Sequence, residues 1–296
     1  MQALLAPLLP VMLPVLLCAM LGALWARFRQ PFDQEFVRRI VTWVSAPALI
    51  VGTFSDMTMP ATEMRSALVA SVVLLLFGGS FAALFCLLTR QSLQSFLVPL
   101  TFGNFGNMGL PLCLFAFGEA GLALGLAVFL VTTLCHFSLG VAILNGRAAG
   151  RALLQSPILY SGVVAASMLM LDWSLPPFLQ NTADILGSMC IPLMLLTLGI
   201  SLSSLRVSSA GLSLLYAVAR LGLGLLAGLT TVWVLELEGV LRQVVLLQSA
   251  MPAAVFNYLL AVQYRREADT VAGIVVMSTL LSFITIPALL LYLGVE

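Results

Sequence analysis

The sequence predicts an all-α polytopic membrane protein of ten transmembrane helices, arranged as two inverted five-helix repeats with broken, crossing helices 4 and 9. Three observations predict it. Hydrophobic residues make up 61% of the 296 positions and charged residues 8%, with a mean hydropathy of +1.11; a soluble domain carries nearer a quarter charged residues. Ten apolar stretches approach the roughly 20 residues needed to cross about 30 Å of hydrocarbon. Two of them, the fourth and the ninth, are interrupted by helix-breaking residues at corresponding places.

The first five stretches are 3–25, 40–56, 67–89, 94–118 and 121–145, and the second five are 155–172, 180–202, 209–235, 240–261 and 269–293. None shows the strict alternation of a β-barrel strand. The first has no basic n-region; its basic cluster, RFRQPFDQEFVRR, follows the apolar run. That order argues for a retained helix rather than a cleaved signal. Loops are short, so whatever the protein does is expected to happen within the bilayer. Cys18, Cys86, Cys113, Cys135 and Cys190 all fall in apolar spans without CxxC spacing. They are expected to fill the core, with no disulfide framework, zinc site or cofactor implied.

Orientation follows from the basic residues, all thirteen of which are arginine. The odd-numbered loops hold Arg27, Arg29, Arg38, Arg39, Arg90, Arg147, Arg151, Arg206, Arg265 and Arg266, while the even-numbered loops hold only Arg65 and Arg242. By the positive-inside rule the odd loops are cytoplasmic and both termini face outward. Nothing in the near-zero net charge of +1 suggests a nucleic-acid partner.

A weak internal period runs through the chain. VTTLCHFSLGVAILN (131–145) aligns with MSTLLSFITIPALLL (277–291), matching Thr133, Leu134 and Phe137 to Thr279, Leu280 and Phe283. SAPALIVGTFSDM (45–57) aligns with CIPLMLLTLGISL (190–202), Pro47 on Pro192, and the interrupted fourth span pairs with QSAMPAAVFNYLLA (248–261). Two repeats result, 1–146 and 147–296. Five helices is an odd number, so the second repeat must lie upside down relative to the first. Inverted repeats with paired broken helices are a transporter arrangement, with the binding site near the midplane.

The fourth span is broken by GNFGNMGLP, residues 103–111. Irregular backbone at membrane depth survives only where protein buries it or a wet cavity borders it. Gly103, Gly106 and Gly109 allow close backbone or ligand approach. Pro111 removes a donor and disfavours helix before it, so a half-helix is expected to begin near Pro111, its free amides and positive dipole end facing a cavity. Met251, Pro252, Ala253 and Ala254 repeat the logic in the ninth span. Two such ends favour an anion, with Asn104, Asn107 and Asn257 as amide ligands; the asparagines can equally satisfy freed backbone carbonyls.

Other polar residues lie at depth. His136, the only histidine, is either a proton-coupling group or a fixed hydrogen bonder. Arg220, within the eighth span, either counters a substrate carboxylate or pairs with Asp184 of the seventh. Thr132 and Thr133 offer oxygens to a sodium ion or bond back into their own helix.

N-F-G-N-M-G-L-P (104–111) resembles the N-x-G-x-x-G-x-P signature of the auxin efflux carrier family in its bacterial branch. I-P-L-M-L-L-T-L-G-I-S-L (191–202) and A-M-P-A-A-V-F-N-Y-L-L-A (250–261) look like that family's other recurrent segments, in the right order. The resemblance covers essentially the whole chain, without the long cytoplasmic loop of many plant members. It implies a secondary carrier of small organic anions, such as malate, malonate or auxin-like carboxylates, coupled to H⁺ or Na⁺ if to any ion. Spans 1, 2, 6 and 7 would form a scaffold that dimerises. Spans 3–5 and 8–10 would form a transport domain that slides against it, an elevator. Pro111 and Pro252 would be the crossover prolines, with Asn104, Asn107 and Asn257 around the substrate. The chain departs from the family in lacking lysine, so no lysine contact carries over.

Three alternatives are weighed. A sodium-coupled carrier of the bile-acid-transporter type would use an acidic residue near the ninth-span crossing, and Met251–Asn257 contains none. A channel is compatible with the broken pair but would not show saturable counterflow. An intramembrane enzyme lacks support: there is no HExxH or GxSxG, and Ser138 near His136 has no third partner.

Overall fold

In the computed structural model, which describes residues 8–56, 60–145, 156–171, 173–205 and 210–294, the described residues are helical apart from turns and one isolated backbone bridge. Arg147, Arg151, Arg206 and the expected repeat boundary at 146/147 lie outside the described residues.

Helix α1 is Leu8–Arg27. Asp33 then caps α2, Gln34–Ile40, by accepting from the Phe36 amide, so the second span starts six residues before its apolar run. A π-turn, Val41–Ser45, joins α2 to α3, Ala46–Ser55. Helix α4, Ala61–Leu88, also begins ahead of the apolar run; Glu63 and Arg65 sit in its first turns. Polar ends of this kind remain helical because helix outlasts the hydrocarbon slab at 1.5 Å per residue.

The fourth stretch is α5, Leu93–Thr101, followed by extended residues, a π-turn Phe105–Gly109, and α6, Leu110–Cys135. A further π-turn, His136–Gly140, leads into α7, Val141–Asn145. From Phe105 to Leu144 the chain is 40 residues of helix, about 60 Å if straight and twice a bilayer's hydrocarbon core. It is not straight. Gly118 has φ 64° and ψ −158°, a conformation that glycine alone adopts readily, and the helix folds there into a hairpin. Gly121 accordingly lies on Phe117 and the Cys113 carbonyl, and Gly125 on the Cys113 side chain.

The second half comprises α8 (Pro157–Leu171), α9 (Pro177–Ser188), α10 (Cys190–Ser204), α11 (Ala210–Val234), α12 (Gly239–Ser249), α13 (Val255–Gln263) and α14 (Ala268–Tyr292). Seven helical stretches among the described residues are long and apolar enough to cross a membrane. The sixth stretch gives the shorter Pro157–Met168, and the ninth is cut into α12 and α13. The protein is therefore a multi-pass membrane protein.

Packing sorts the helices into two bundles. In one, α1 lies along α10, and α8 and α9 lie against α3. In the other, α11 packs on α4 and α14, α4 on α5 and α6, α12 on α6, and α13 on α14. The α1–α10 contact is backbone to backbone: a Cβ on Gly22 would meet the Leu196 carbonyl, and one on Gly199 the Ala19 carbonyl. Small residues at such a seam let dispersion contacts form where lipid removes any hydrophobic drive. Gly199→Val is expected to cost about 1–3 kcal/mol through overpacking, read as a lower melting temperature in detergent. An unchanged melting temperature would show the seam to be loose.

Candidate functional site

Two short extended segments, one between α5 and the Phe105–Gly109 π-turn and one between α12 and α13, cross each other inside the second bundle. Gly103 and Ala253 form an antiparallel bridge. The Asn104 amide donates to the Pro252 carbonyl at 2.7 Å, and the Ala254 amide to the Phe102 carbonyl at 3.3 Å. The Phe102 carbonyl also accepts from Asn257 Nδ2 at 2.9 Å, and the Ala253 amide donates to Ser278 Oγ at 3.1 Å. Each broken helix thus meets through the other the hydrogen bonds that lipid cannot supply.

The break expected over residues 103–111 narrows to Phe102–Asn104, and helix resumes through the π-turn before regular α-helix begins at Leu110. The resumed helix starts at Phe105, six residues ahead of the expected place. Pro111 sits in the first turn of α6, where its missing amide costs least because the π-turn before it has already rearranged the bonding. Pro252 does lie in its break, as expected.

The crossing brings together two half-helix starts, Phe105 and Val255, whose leading amides and positive dipole ends lie at the break. Both border a cavity of about 340 Å³. Its walls include Asn104, Gly106, Asn107 and Ala254 on the crossing, and Thr132, Thr133 and His136 on the next span. Asn104 is 4% exposed and its Nδ2 has no hydrogen-bond partner. The His136 ring stacks on Phe102, centroids 4.4 Å apart and 4° from parallel. Neither His136 Nε2 nor Asn257 Oδ1 closes a hydrogen bond. Unpaired buried polar atoms are costly; Asn104 and His136 border the cavity, whereas Asn257 lies behind it in the crossing. All three π-turns described, Val41–Ser45, Phe105–Gly109 and His136–Gly140, contribute to its wall. Such turns are rare and recur at functional sites.

The other expected residues take different places. Met251, Pro252 and Ala253 are buried in the crossing and contribute backbone rather than cavity wall. Gly109 also lies off the cavity, and a Cβ there would strike the amide of Gln248. Its lack of a side chain admits that glutamine, which is fully buried with neither amide atom hydrogen-bonded. Thr132 Oγ1 bonds back to the Val128 and Phe129 carbonyls at 2.7 and 3.2 Å. Thr133 keeps its place on the wall.

Arg220 and Asp184 do not pair. Arg220 is 2% exposed and donates Nη1 to the carbonyls of Leu100 and Thr101 at 2.9 and 3.2 Å and Nη2 to that of Ser249 at 3.5 Å. Asp184 instead accepts from Gln180 Nε2 at 2.9 Å. It borders a second cavity, about 730 Å³, at the opposite end of the α2–α3 rod, together with Asp56, Glu63 and Glu119. That cavity is larger, but four carboxylates make it hostile to an anion.

Sequence reasoning missed the facing wall, contributed by the first bundle. There α10 presents Met194, Thr197 and Ser201, and Gln34 of α2 donates to Ser201 Oγ at 3.1 Å. Thr197 and Ser201, one turn apart in an apolar helix, were the available signal. Gly106 is the contact point between bundles, since a Cβ there would press on Met194 and Phe129. Aromatic residues, Trp43, Phe105, Phe129, Phe137, Phe256 and Tyr258, contribute further to the lining.

The chain matches the family model described as membrane transport protein over residues 7–155 and 147–290. It is similar to an uncharacterized transporter of Methanocaldococcus jannaschii, 24% identical over 269 residues that cover 85% of this chain and 87% of the relative. It is likewise similar to an uncharacterized transporter of Methanothermobacter thermautotrophicus, 27% identical over 270 residues, 86% of this chain and 87% of the relative.

Proposed function

The chain belongs to the membrane transport protein family, the auxin efflux carriers that its motifs resemble, and on that premise we propose that this membrane transporter is a secondary carrier of a small organic anion across the bacterial inner membrane. One observation carries the reading: two half-helix starts and Asn104, whose Nδ2 has no hydrogen-bond partner, border one cavity of about 340 Å³. Dipole ends and amide donors attract a carboxylate without holding it as tightly as a formal charge would. A carrier must release what it binds.

The aromatic walls refine the cargo. Only one formally charged side chain, Arg38, borders the cavity among the described residues, and Glu35 already engages it. A dicarboxylate such as malate or malonate needs a second anchor. An auxin-like monocarboxylate with an apolar ring fits better, its carboxylate at the crossing and its ring among the phenylalanines.

Ten crossings in two inverted repeats remain the reading of the topology, with both termini outside. The cavity then opens on the arginine-rich, cytoplasmic side. Transport by an elevator-type slide draws support from the two bundles, each tightly packed within itself and meeting at Met194 and Gly106. In this reading α1–α3 and α8–α10 form the scaffold, dimerised through its outer face, and the crossing moves past it. His136 on the wall is the group to test for proton coupling. A sodium-coupled carrier of the bile-acid type finds no carboxylate on this cavity among the described residues.

The experiment is counterflow in proteoliposomes, comparing labelled indole-acetate with labelled malate and malonate, with and without a pH gradient. Saturable exchange of the aromatic acid, at least tenfold faster than of either diacid, is expected. Preference for the diacids would overturn the refinement, and unsaturable flux would indicate a channel.

A further inference from the structure

The most deeply buried charge among the described residues is held by no carboxylate. Arg220 lies mid-helix in α11, and no ion pair involves it among the described residues. Its partners are the carbonyls of Leu100 and Thr101, the last two residues of α5, and of Ser249, the last residue of α12. Those oxygens are the acceptors that a helix leaves unbonded at its C-terminus, and they mark the negative end of its dipole. Both broken helices therefore point their negative ends at one guanidinium, on the side of the crossing away from the anion cavity. Neighbouring residues make room for it. A Cβ on Gly103 would strike Nη2, and one on Gly224 would strike the Ser249 carbonyl and lie 3.2 Å from Nη1. The Phe105 ring adds its face at 5.9 Å, a cation–π contact. Thr101 Oγ1, buried on one of the same residues, has no hydrogen-bond partner.

Unwound carbonyls and half-helix C-termini are the groups that bind a coupling cation in carriers built on broken helices. We propose that Arg220 is a tethered cation occupying that position, so that the crossing takes up no free monovalent cation, and that its removal uncovers a site for one. The guanidinium travels with the transport bundle. It cancels the negative ends of both half-helices throughout the cycle, a task that a dissociable sodium ion would perform only when bound. Carriage of an anion across this crossing is then independent of sodium. The inference rests on the carrier reading for its consequence, but not for the site itself.

The test needs no cargo. Full-length protein purified in detergent is melted in sodium, potassium, guanidinium or choline chloride at equal ionic strength. Native protein is expected to melt at the same temperature in sodium as in choline. Arg220→Ala is expected to melt lower by about 5 °C or more, and to recover part of the loss in millimolar guanidinium or sodium but not in choline, by mass action. Arg220→Lys, which keeps the charge but reaches fewer carbonyls, is expected between the two and indifferent to sodium. A sodium-dependent rise in the native protein overturns the proposal, as does a folded Arg220→Ala that no cation stabilises over choline. If Arg220→Ala fails to fold, the native protein and Arg220→Lys decide: indifference to sodium in both supports the tethered cation, and a response in either overturns it. Failure here leaves anion exchange standing, and absence of exchange in vesicles leaves this result standing.

Discussion

Asn104→Ala should abolish most transport while leaving the fold as stable as before, and Asn257→Ala should do the reverse to stability. The contrast comes from where each amide spends its donors. Asn257 Nδ2 is committed to the Phe102 carbonyl at 2.9 Å, so truncation strands a buried acceptor and costs about 1–3 kcal/mol. Asn104 Nδ2 is committed to nothing. Losing an unsatisfied buried donor is neutral or slightly stabilising. Losing the same donor from a carboxylate in the cavity forfeits a charge-assisted bond, about 1.5–3 kcal/mol or roughly a tenfold to hundredfold loss in apparent affinity. Melting temperature and counterflow on the same preparations check both halves. Equal destabilisation by the two substitutions would mean that Asn104 is a structural amide and not a ligand.

Gly103→Ala should be severely damaging for a single added methyl group. Gly103 lies on the backbone bridge to Ala253, and the space beside its Cα is filled by Arg220 Nη2, with the Met251 carbonyl 3.3 Å from where a Cβ would stand. Backbone conformation is not the obstacle; volume is. The guanidinium must retreat from the Ser249 and Leu100 carbonyls or the crossing must open. Overpacking and stranded acceptors together are expected to cost about 3 kcal/mol or more. A double-mutant cycle gives the sharper result. In an Arg220→Ala background the clash with Nη2 is gone and only the Met251 carbonyl, 3.3 Å away, still borders the methyl group, so the two substitutions should be strongly non-additive. Additive losses would place the clash somewhere other than at Arg220.

Much of this was legible in the chain. Hydropathy and length give the spans because a bilayer imposes one thickness on every crossing segment. The interrupted pair is visible because glycine, proline and asparagine are conspicuous against leucine and valine. The weight placed on Asn104, Asn107, His136 and Arg220 follows from the same contrast, since a polar side chain in hydrocarbon demands a reason.

What sequence placed wrongly shares one cause. Pro111 marked where helix would resume because proline favours a first turn, yet the π-turn already starts at Phe105, and only the pairing of Asn104 with Pro252 fixes how short the break is. Gly109 suggested close approach by a ligand, and the approaching group is Gln248, from a helix more than a hundred residues away. Arg220 suggested a carboxylate partner; its partners are carbonyls, which every residue carries and no sequence distinguishes. The Thr197 and Ser201 wall escaped notice because hydroxyls in apolar helices usually bond back into their own turn.

Composition, span length and the breakers by themselves determined a helical membrane protein with two interrupted spans and polar groups at depth. Tertiary structure decided how the two interruptions meet, which amides are left without partners, and what holds Arg220. The division has a physical basis: transfer from water to lipid is summed residue by residue along the chain. Hydrogen bonding at a crossing is settled between segments about 150 residues apart, through backbone groups identical at almost every position.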